Sequence, residues 1–406
     1  MSHHAVDADA VVAATTAIAD DVVHTRSQPS RTLSTITGAH VIVKFENEQF
    51  TGSFKDRGAA SHLRSLTEPQ RERGVVAMSA GNHAQGVAYH AGRLGIPATI
   101  VMPTSAPFTK VTRTAAHGAE VRQVGATLAE ASAAARQLVA DTGAVWVHPY
   151  DDPAVIAGQG SVAVEMLADH PDIDTVVVPT GGGGLLAGVA AYARAERPDL
   201  EIVGVQSEVY PGMVAALEGR TLEAGAPDTL ADGIAVKTPG ELTVPIIRDL
   251  VDDVIVVREQ TIERCVALYL EVEKTVAEGA AAAALAALFD HPDRFADKKV
   301  AVILSGGNID TRILASVLMR QLVGTGRVHQ LRIALPDMPG QLAPVVAAIA
   351  DAGANVIEID HRRLFDPISA RSTNVDVVIE TRDADHARHV ITMLATHAYT
   401  VHEEPC

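Results

Sequence analysis

The sequence predicts an α/β fold: two domains of parallel sheets flanked by helices, followed by a ferredoxin-like βαββαβ module. Three observations carry that prediction. Short β-branched apolar runs alternate with alanine-rich helical stretches as far as residue 322. At 406 residues the chain exceeds what one hydrophobic core organises. The glycines of VGTGRV (323–328) then interrupt the pattern, and the order of elements changes beyond them.

In chain order, HVIVKF (40–45), GVVAMS (74–79), ATIVMP (98–103), AEVRQVG (119–125) and AVWVHP (144–149) read as strands. NHAQGVAYHAGRLG and TLAEASAAARQLVADTG, which lie between them, read as helices. DTVVVPT (174–180), EIVGVQS (201–207), DVIVV (253–257) and KVAVILS (299–305) continue the series. Strand followed by helix, repeated, means parallel sheets covered on both faces, with binding groups on the loops after the strands' C-terminal ends. The tail reads strand (VHQLRIALP), helix (LAPVVAAIADAG), strand (NVIEIDHRRL), strand (TNVDVVIETR), helix (DADHARHVITMLATH) and strand (YTVHEE). The expected division is 1–322, with a smaller subdomain at about 46–150 inserted between 1–45 and 151–322. A linker at 323–327 and a module at 328–406 follow.

Composition excludes several classes. A net charge of −17 leaves no basic excess to neutralise a nucleic-acid backbone. No basic stretch followed by an apolar one opens the chain, and no apolar run is long enough to span a bilayer. The two cysteines, Cys265 and Cys406, form neither a disulfide framework nor a zinc-ligand spacing. No nucleic acid, membrane or metal is therefore expected as a partner, and a reducing cytoplasm fits best. His386 and His389, i and i+3 on one helix, lack a third ligand.

Two motifs carry chemistry. Gly181, Gly182, Gly183 and Gly184 stand between a buried strand and a helix, where bare N–H groups and the helix N-terminus together suit a phosphate. A strand-to-helix turn alone needs only one or two glycines. No G-K-[ST] follows, so a nucleoside-triphosphate loop is absent. Gly182-x-Gly184-x-x-Ala187 matches a relaxed dinucleotide fingerprint, with Glu208 as ribose acceptor, but that reading leaves Lys55 unexplained. In TGSFKDRG (51–58) Lys55 opens a helix behind Thr51, Gly52, Ser53 and Phe54. A phosphate site plus a desolvated amine points to pyridoxal phosphate, whose aldehyde forms a Schiff base with lysine.

The segments ENEQFTGSFKDRGA (46–59), SAGNHAQGVA (79–88), PTGGGGLLAG (179–188), TLADGIAV (229–236) and ILSGGNID (303–310) together resemble the threonine dehydratases of the tryptophan-synthase-β fold type (PLP fold type II). The resemblance covers roughly residues 20–320. The tail, opening with DMPGQL (337–342), resembles an ACT regulatory domain. The resemblance implies β-elimination of L-threonine to 2-oxobutanoate and ammonia, and of L-serine to pyruvate. By this likeness Lys55 is the Schiff-base lysine and the base at Cα, and Phe54 packs by the cofactor ring. Asn82 bonds the pyridoxal 3′-oxygen, and Gly181, Gly182, Gly183, Gly184 and Leu185 offer the phosphate their N–H groups. Ser79, Ala80, Gly81, Asn82 and His83 hold the substrate carboxylate through backbone N–H groups, and Ser305 faces the pyridine nitrogen. Glu278, in VAEGAAAAALAA, is either a residue of this site or a helix-start carboxylate stabilised by the helix dipole. The ACT likeness implies an amino-acid effector near 337–342 and Asn355, and a homodimer or homotetramer.

Four departures bear on function. Serine racemases of this fold place a serine where Ala80 stands, and Ala80 can neither give nor take a proton, so racemisation is expected to be poor. The stretch GVQSEVYPGM (204–213) lacks the acidic set of the racemase metal site. Asp56 follows the lysine where an aliphatic residue is usual, and Phe50 replaces a proline or polar residue. The other competing reading is an amino-acid sensor with a degenerate catalytic region, which the intact set of Lys55, Asn82, the glycines and Ser305 argues against.

Overall fold

The computed structural model describes residues 4–222, 228–362, 371–397 and 399–403. The chain divides into two compact units, 1–309 and 310–406.

The first unit holds two sheets. The strands are β1 (Ser27–Pro29), β2 (His40–Phe45), β3 (Val75–Met78), β4 (Ala98–Met102), β5 (Glu120–Gln123), β6 (Val145–Trp146), β7 (Thr175–Pro179), β8 (Glu201–Ser207), β9 (Asp253–Val257) and β10 (Lys299–Leu304). The larger sheet runs β1-β2-β10-β7-β8-β9 and the smaller β5-β4-β3-β6, parallel throughout except for β1. β7 is buried at every position and β10 at all but its first, as strands covered on both faces must be. Val176, Val178, Ile202, Ala301 and Ile303 point into one cluster with the helices Pro153–Asp169 and Gly184–Glu196. The alanine-rich helix Gly279–Asp290 packs against β7, β8, β9 and β10. With only 3% aromatic residues, close approach of alanine-faced helices takes the place of large side chains.

Two elements differ from the sequence reading. β1 is a three-residue antiparallel edge strand that includes Pro29 and shows no periodicity. β6 stops at Trp146: the Nδ1 of His148 accepts from the Tyr150 and Asp151 N–H groups, and this turn ends the run. No helix among the described residues is long and apolar enough to cross a membrane.

The second unit begins with the helix Thr311–Gly324, so that helix goes with the C-terminal module and the expected boundary at 322 moves to 309. Its strands are β11 (Val328–Pro336), β12 (Asn355–Arg362), β13 (Ser372–Glu380) and β14 (Thr400–Glu403). With helices Leu342–Asp351 and Ala384–Thr396 they give the βαββαβ order. The antiparallel sheet β12-β13-β11-β14 places the first and third strands of the module at its centre, the ferredoxin-like arrangement. The expected strand ends at 363–364 and 404, and Cys406, lie outside the described residues.

Candidate active site

β2, β10 and β7 are neighbours in one parallel sheet, so the loops that leave their C-terminal ends lie side by side. Those loops carry Thr51–Lys55, Ser305–Asn308 and Gly181–Gly184. From the smaller sheet, β3 delivers Ser79–Asn82 and β6 delivers Val147–Tyr150. The site is the meeting of these five segments.

Lys55 begins the helix Lys55–Ser65, with Phe54 at its N-cap. An isolated antiparallel bridge between Ser53 and Gly306 fixes the approach, with Phe54 N–H donating to the Ser305 carbonyl at 3.0 Å and Gly307 N–H to the Gly52 carbonyl at 2.9 Å. Gly52 has φ 77°, a conformation that favours glycine, and a Cβ there would crowd Asn308 Oδ1 at 3.1 Å. The Lys55 amine donates to the Pro149 carbonyl at 2.7 Å and lies 5.0 Å from the centre of the Phe54 ring. Burial pushes this amine down to about 8, against an opposing pull from the Glu278 carboxylate. About a tenth of it is therefore unprotonated at pH 7, several hundredfold more than of an ordinary lysine, which favours a nucleophilic role.

The glycine turn is enclosed. A Cβ on Gly182 would lie 2.3 Å from the Tyr150 ring, one on Gly184 2.9 Å from the Tyr150 carbonyl, and one on Gly181 3.0 Å from Ile234 Cα. Gly183 has φ 98°, and its Cβ would meet Thr243 Oγ1 and Met213 Cε at 2.7 Å. Thr243 Oγ1 donates to the Gly182 carbonyl at 2.7 Å. The N–H groups of Gly181 to Gly184 find no backbone acceptor among the described residues, although the turn is buried. Buried donors left without acceptors fit an oxyanion such as a phosphate.

Asn82 opens the helix Asn82–Leu94, whose N-terminus no side chain caps. Its Nδ2 donates to Glu278 Oε1 at 2.7 Å, and its Oδ1 accepts from Asn308 Nδ2 at 2.9 Å. Glu278 occupies the N-cap of Gly279–Asp290 but makes no side-chain capping bond there; its carboxylate turns to Asn82 instead, which places it in the site. Burial, with Asp232 adding to it, raises Glu278 to about 7, against the pull of the Asn82 hydrogen bond. The expected carboxylate turn is only partly free. Ser79 N–H donates to the Val101 carbonyl at 3.3 Å, continuing the strand, and Gly81 N–H donates to Ser79 Oγ at 3.1 Å. The open donors of this segment are thus the Ala80 N–H and those at the helix start, from Asn82 onward. His83 bonds the Val147 carbonyl through Nε2 at 3.0 Å, and burial, with Lys55 adding to it, lowers the imidazole to about 3. Its Nδ1 and the Oγ of Ser53 are buried with no partner.

Ser305, 2% exposed, follows β10 beside Phe54 and offers a neutral hydroxyl. The sequence reading did not assign Tyr150, Pro149 or Asn308, although ILSGGNID contained Asn308. Glu208, the ribose acceptor of the dinucleotide reading, accepts from Glu259 N–H at 3.2 Å. His386 engages both ring nitrogens, with the Ala352 carbonyl and Arg382 N–H.

A profile of the pyridoxal-phosphate dependent enzymes matches residues 18–306. An L-threonine ammonia-lyase of Thermotoga maritima is 43% identical over 383 residues, 94% of this chain and 95% of that protein. The structure of a T.th. threonine deaminase superposes with TM-score 0.71 at 39% identity, over 75% of this chain and 99% of that one. That of maize serine racemase superposes with TM-score 0.74 at 34% identity, over 79% and 99%. The depressed amine of Lys55, the unpaired donors of the glycine turn and these likenesses agree: the chain belongs to the pyridoxal-phosphate dependent enzyme family.

Proposed function

We propose that the chain is an L-threonine ammonia-lyase, eliminating water across Cα and Cβ of L-threonine to give, after hydrolysis, 2-oxobutanoate and ammonia. L-Serine would give pyruvate by the same route. The observation that carries the reading is the Lys55 amine, pushed down to about 8 where loops from both sheets meet. Pyridoxal phosphate held here by Lys55 would, once passed from that lysine to the substrate's amine, withdraw electron density from Cα and make its proton labile. The residues present fit that group: glycine N–H donors for the phosphate, Phe54 beside the ring, Asn82 for the 3′-oxygen and Ser305 for the ring nitrogen.

Lys55 would take the proton from Cα. The open N–H groups at the start of Asn82–Leu94 orient the substrate carboxylate at a helix N-terminus. Glu278, raised to about 7, is near half-protonation at neutral pH and holds Asn82 in place. A serine hydroxyl cannot keep a ring nitrogen protonated as a carboxylate would. A ring nitrogen facing Ser305 would store less of the charge arriving at Cα, which would favour departure of the β-hydroxyl, with a proton, as water. Ala80, part-buried in the turn that precedes Asn82, has no proton to exchange, which favours elimination over the racemisation performed by the maize neighbour.

The C-terminal unit supports an ACT-type regulatory role, with an amino-acid effector near the 337–342 loop and self-association as dimer or tetramer. The test is a 2-oxo acid assay on L-threonine and L-serine with candidate amino acids added in turn. Lys55→Ala should abolish turnover, and borohydride should no longer fix cofactor to the chain. Removal of 310–406 should keep turnover and remove any effector response. Turnover in the Lys55→Ala protein would refute the assignment.

A further inference from the structure

Asp56 is a departure from the family pattern that the reading above leaves without a role. Its side chain is fully buried, yet it is a carboxylate. It accepts from Thr51 N–H at 2.9 Å and from the Thr51 hydroxyl, reaching back across the turn that precedes Lys55. His90, the nearest basic group on the neighbouring helix, stands 3.8 Å away. Two bonds to one residue hold Thr51 against the first turn of the lysine's own helix.

The Thr51 carbonyl begins a polar chain. It accepts from Asn308 Nδ2 at 2.7 Å; the same Nδ2 donates to Asn82 Oδ1 at 2.9 Å; and Asn82 Nδ2 donates to Glu278 Oε1 at 2.7 Å. A carbonyl can only accept, so Asn308 must present its amino group. The second proton of that amino group requires Asn82 to present its oxygen there, and Asn82 must then turn its own amino group the other way. The chain therefore decides which end of the Asn82 amide points into the site.

We propose that Asp56 is a positioning residue: through Thr51 and Asn308 it fixes the donor orientation of Asn82 toward the cofactor's 3′-oxygen. The inference rests on the reading of this site as a pyridoxal phosphate site. An aliphatic residue at 56 would leave the Thr51 N–H buried without an acceptor and release Thr51 from the helix's first turn, so that its carbonyl, in the next peptide unit, could shift away from Asn308. The polarity of the chain would then no longer be set at that end.

The test compares Asp56→Leu, Asp56→Asn, Asn308→Ala and the double variant Asp56→Leu/Asn308→Ala in the full chain. It reads pyridoxal phosphate affinity, the visible absorption of the bound cofactor across pH, and kcat and KM for L-threonine. Loss of a buried hydrogen bond predicts roughly tenfold weaker cofactor binding in Asp56→Leu. The absorption titration should shift, and kcat should fall more than KM rises. Asp56→Asn should stay within about threefold, because its amide offers an acceptor to Thr51 N–H and a donor to the hydroxyl. The double variant should be no worse than Asn308→Ala alone, since both act on one chain. If Asp56→Leu does not fold, Thr51→Val, which deletes only the hydroxyl half of the lock, carries the same measurements. Wild-type absorption, affinity and kcat in these variants, or additive losses in the double variant, overturn the positioning role. A wild-type chain that binds no pyridoxal phosphate overturns instead the reading on which it rests.

Discussion

Arg57, two residues beyond the reactive lysine, has no exposed surface, and neither does its partner Glu46. Its Nε and Nη2 bond Glu46 at 2.7 and 2.8 Å, while Nη1 and Nη2 each bond Glu165 at 2.7 Å. Lys44, also fully buried, bonds Glu165 at 2.6 Å. Two cations thus balance two carboxylates in the interior and tie the lysine's helix to β2 and to Pro153–Asp169. Arg57→Met removes one cation and leaves Lys44 to serve Glu165, while Glu46 keeps only its bonds from Thr25 Oγ1 at 2.6 Å and Gln49 Nε2 at 3.4 Å. An uncompensated buried charge of this kind costs about 3–5 kcal/mol. At roughly 2–4 °C per kcal/mol for large domains, thermal unfolding should fall by about 10 °C. The pH dependence gives a second check. Burial would raise Glu46, but Arg57 overrides it and holds the carboxyl below its usual range. In the wild type the pair's contribution is therefore complete above the unfolded carboxylate pKa and is lost as pH falls. In Arg57→Met only Lys44 and the Thr25 hydrogen bond still oppose burial, so the penalty is present at neutral pH and is relieved toward acid. The difference in melting temperature should therefore narrow from pH 7 to pH 5, and Glu46→Gln in the Arg57→Met background should recover part of the loss. A single variant melting within about 2 °C of wild type would refute the reasoning.

Three further outcomes follow from the site. Glu278→Gln removes the charge that pulls the Lys55 amine upward, so in the cofactor-free protein the amine should titrate below about 8. The pH dependence of its acylation measures this, and an unchanged or higher value contradicts it. Gly182→Ala drives a methyl into the Tyr150 ring, and overpacking of about 1–3 kcal/mol should weaken cofactor binding roughly 5- to 150-fold in a fluorescence titration. Cys265, buried and with its thiol pushed up by burial, should resist thiol reagents until the protein unfolds; rapid labelling of the native chain at that position would show otherwise.

The parts of this molecule legible in its sequence are those whose chemistry is local. Lys55 and the four glycines announce themselves by residue type within a few positions, and β7, β8, β9 and β10 by their apolar runs. Asn308 is different: its amide serves Thr51 and Asn82, residues more than 200 positions away, so its role follows from strand order and not from spacing. Tyr150 explains why Gly182 and Gly184 lack side chains, a constraint beyond the phosphate argument, and nothing near 150 signals it. Glu278 stands at a helix start, as a capping carboxylate would; only the direction of its side chain separates the two roles. The boundary at 309 was hidden because Thr311–Gly324 follows β10 as the earlier helices follow their strands, while the glycines that read as a linker come only after it.

The anchors of the active site are divided between the two sheets. Lys55 and the tetraglycine bend are tied to the larger sheet, one through the Ser53–Gly306 bridge and the other directly after β7. The turn at 79–82 is carried by the smaller sheet, on β3. Near their mouth Lys110, from the smaller sheet's side, meets Asp232 at 2.9 Å in a contact open to solvent. Small separations of the two sheets would loosen the substrate's end of the cleft first and leave the vitamin-derived group seated. On the proposed reading, substrate and product would exchange on the smaller sheet's side while the lysine and phosphate anchors kept their places on the larger one.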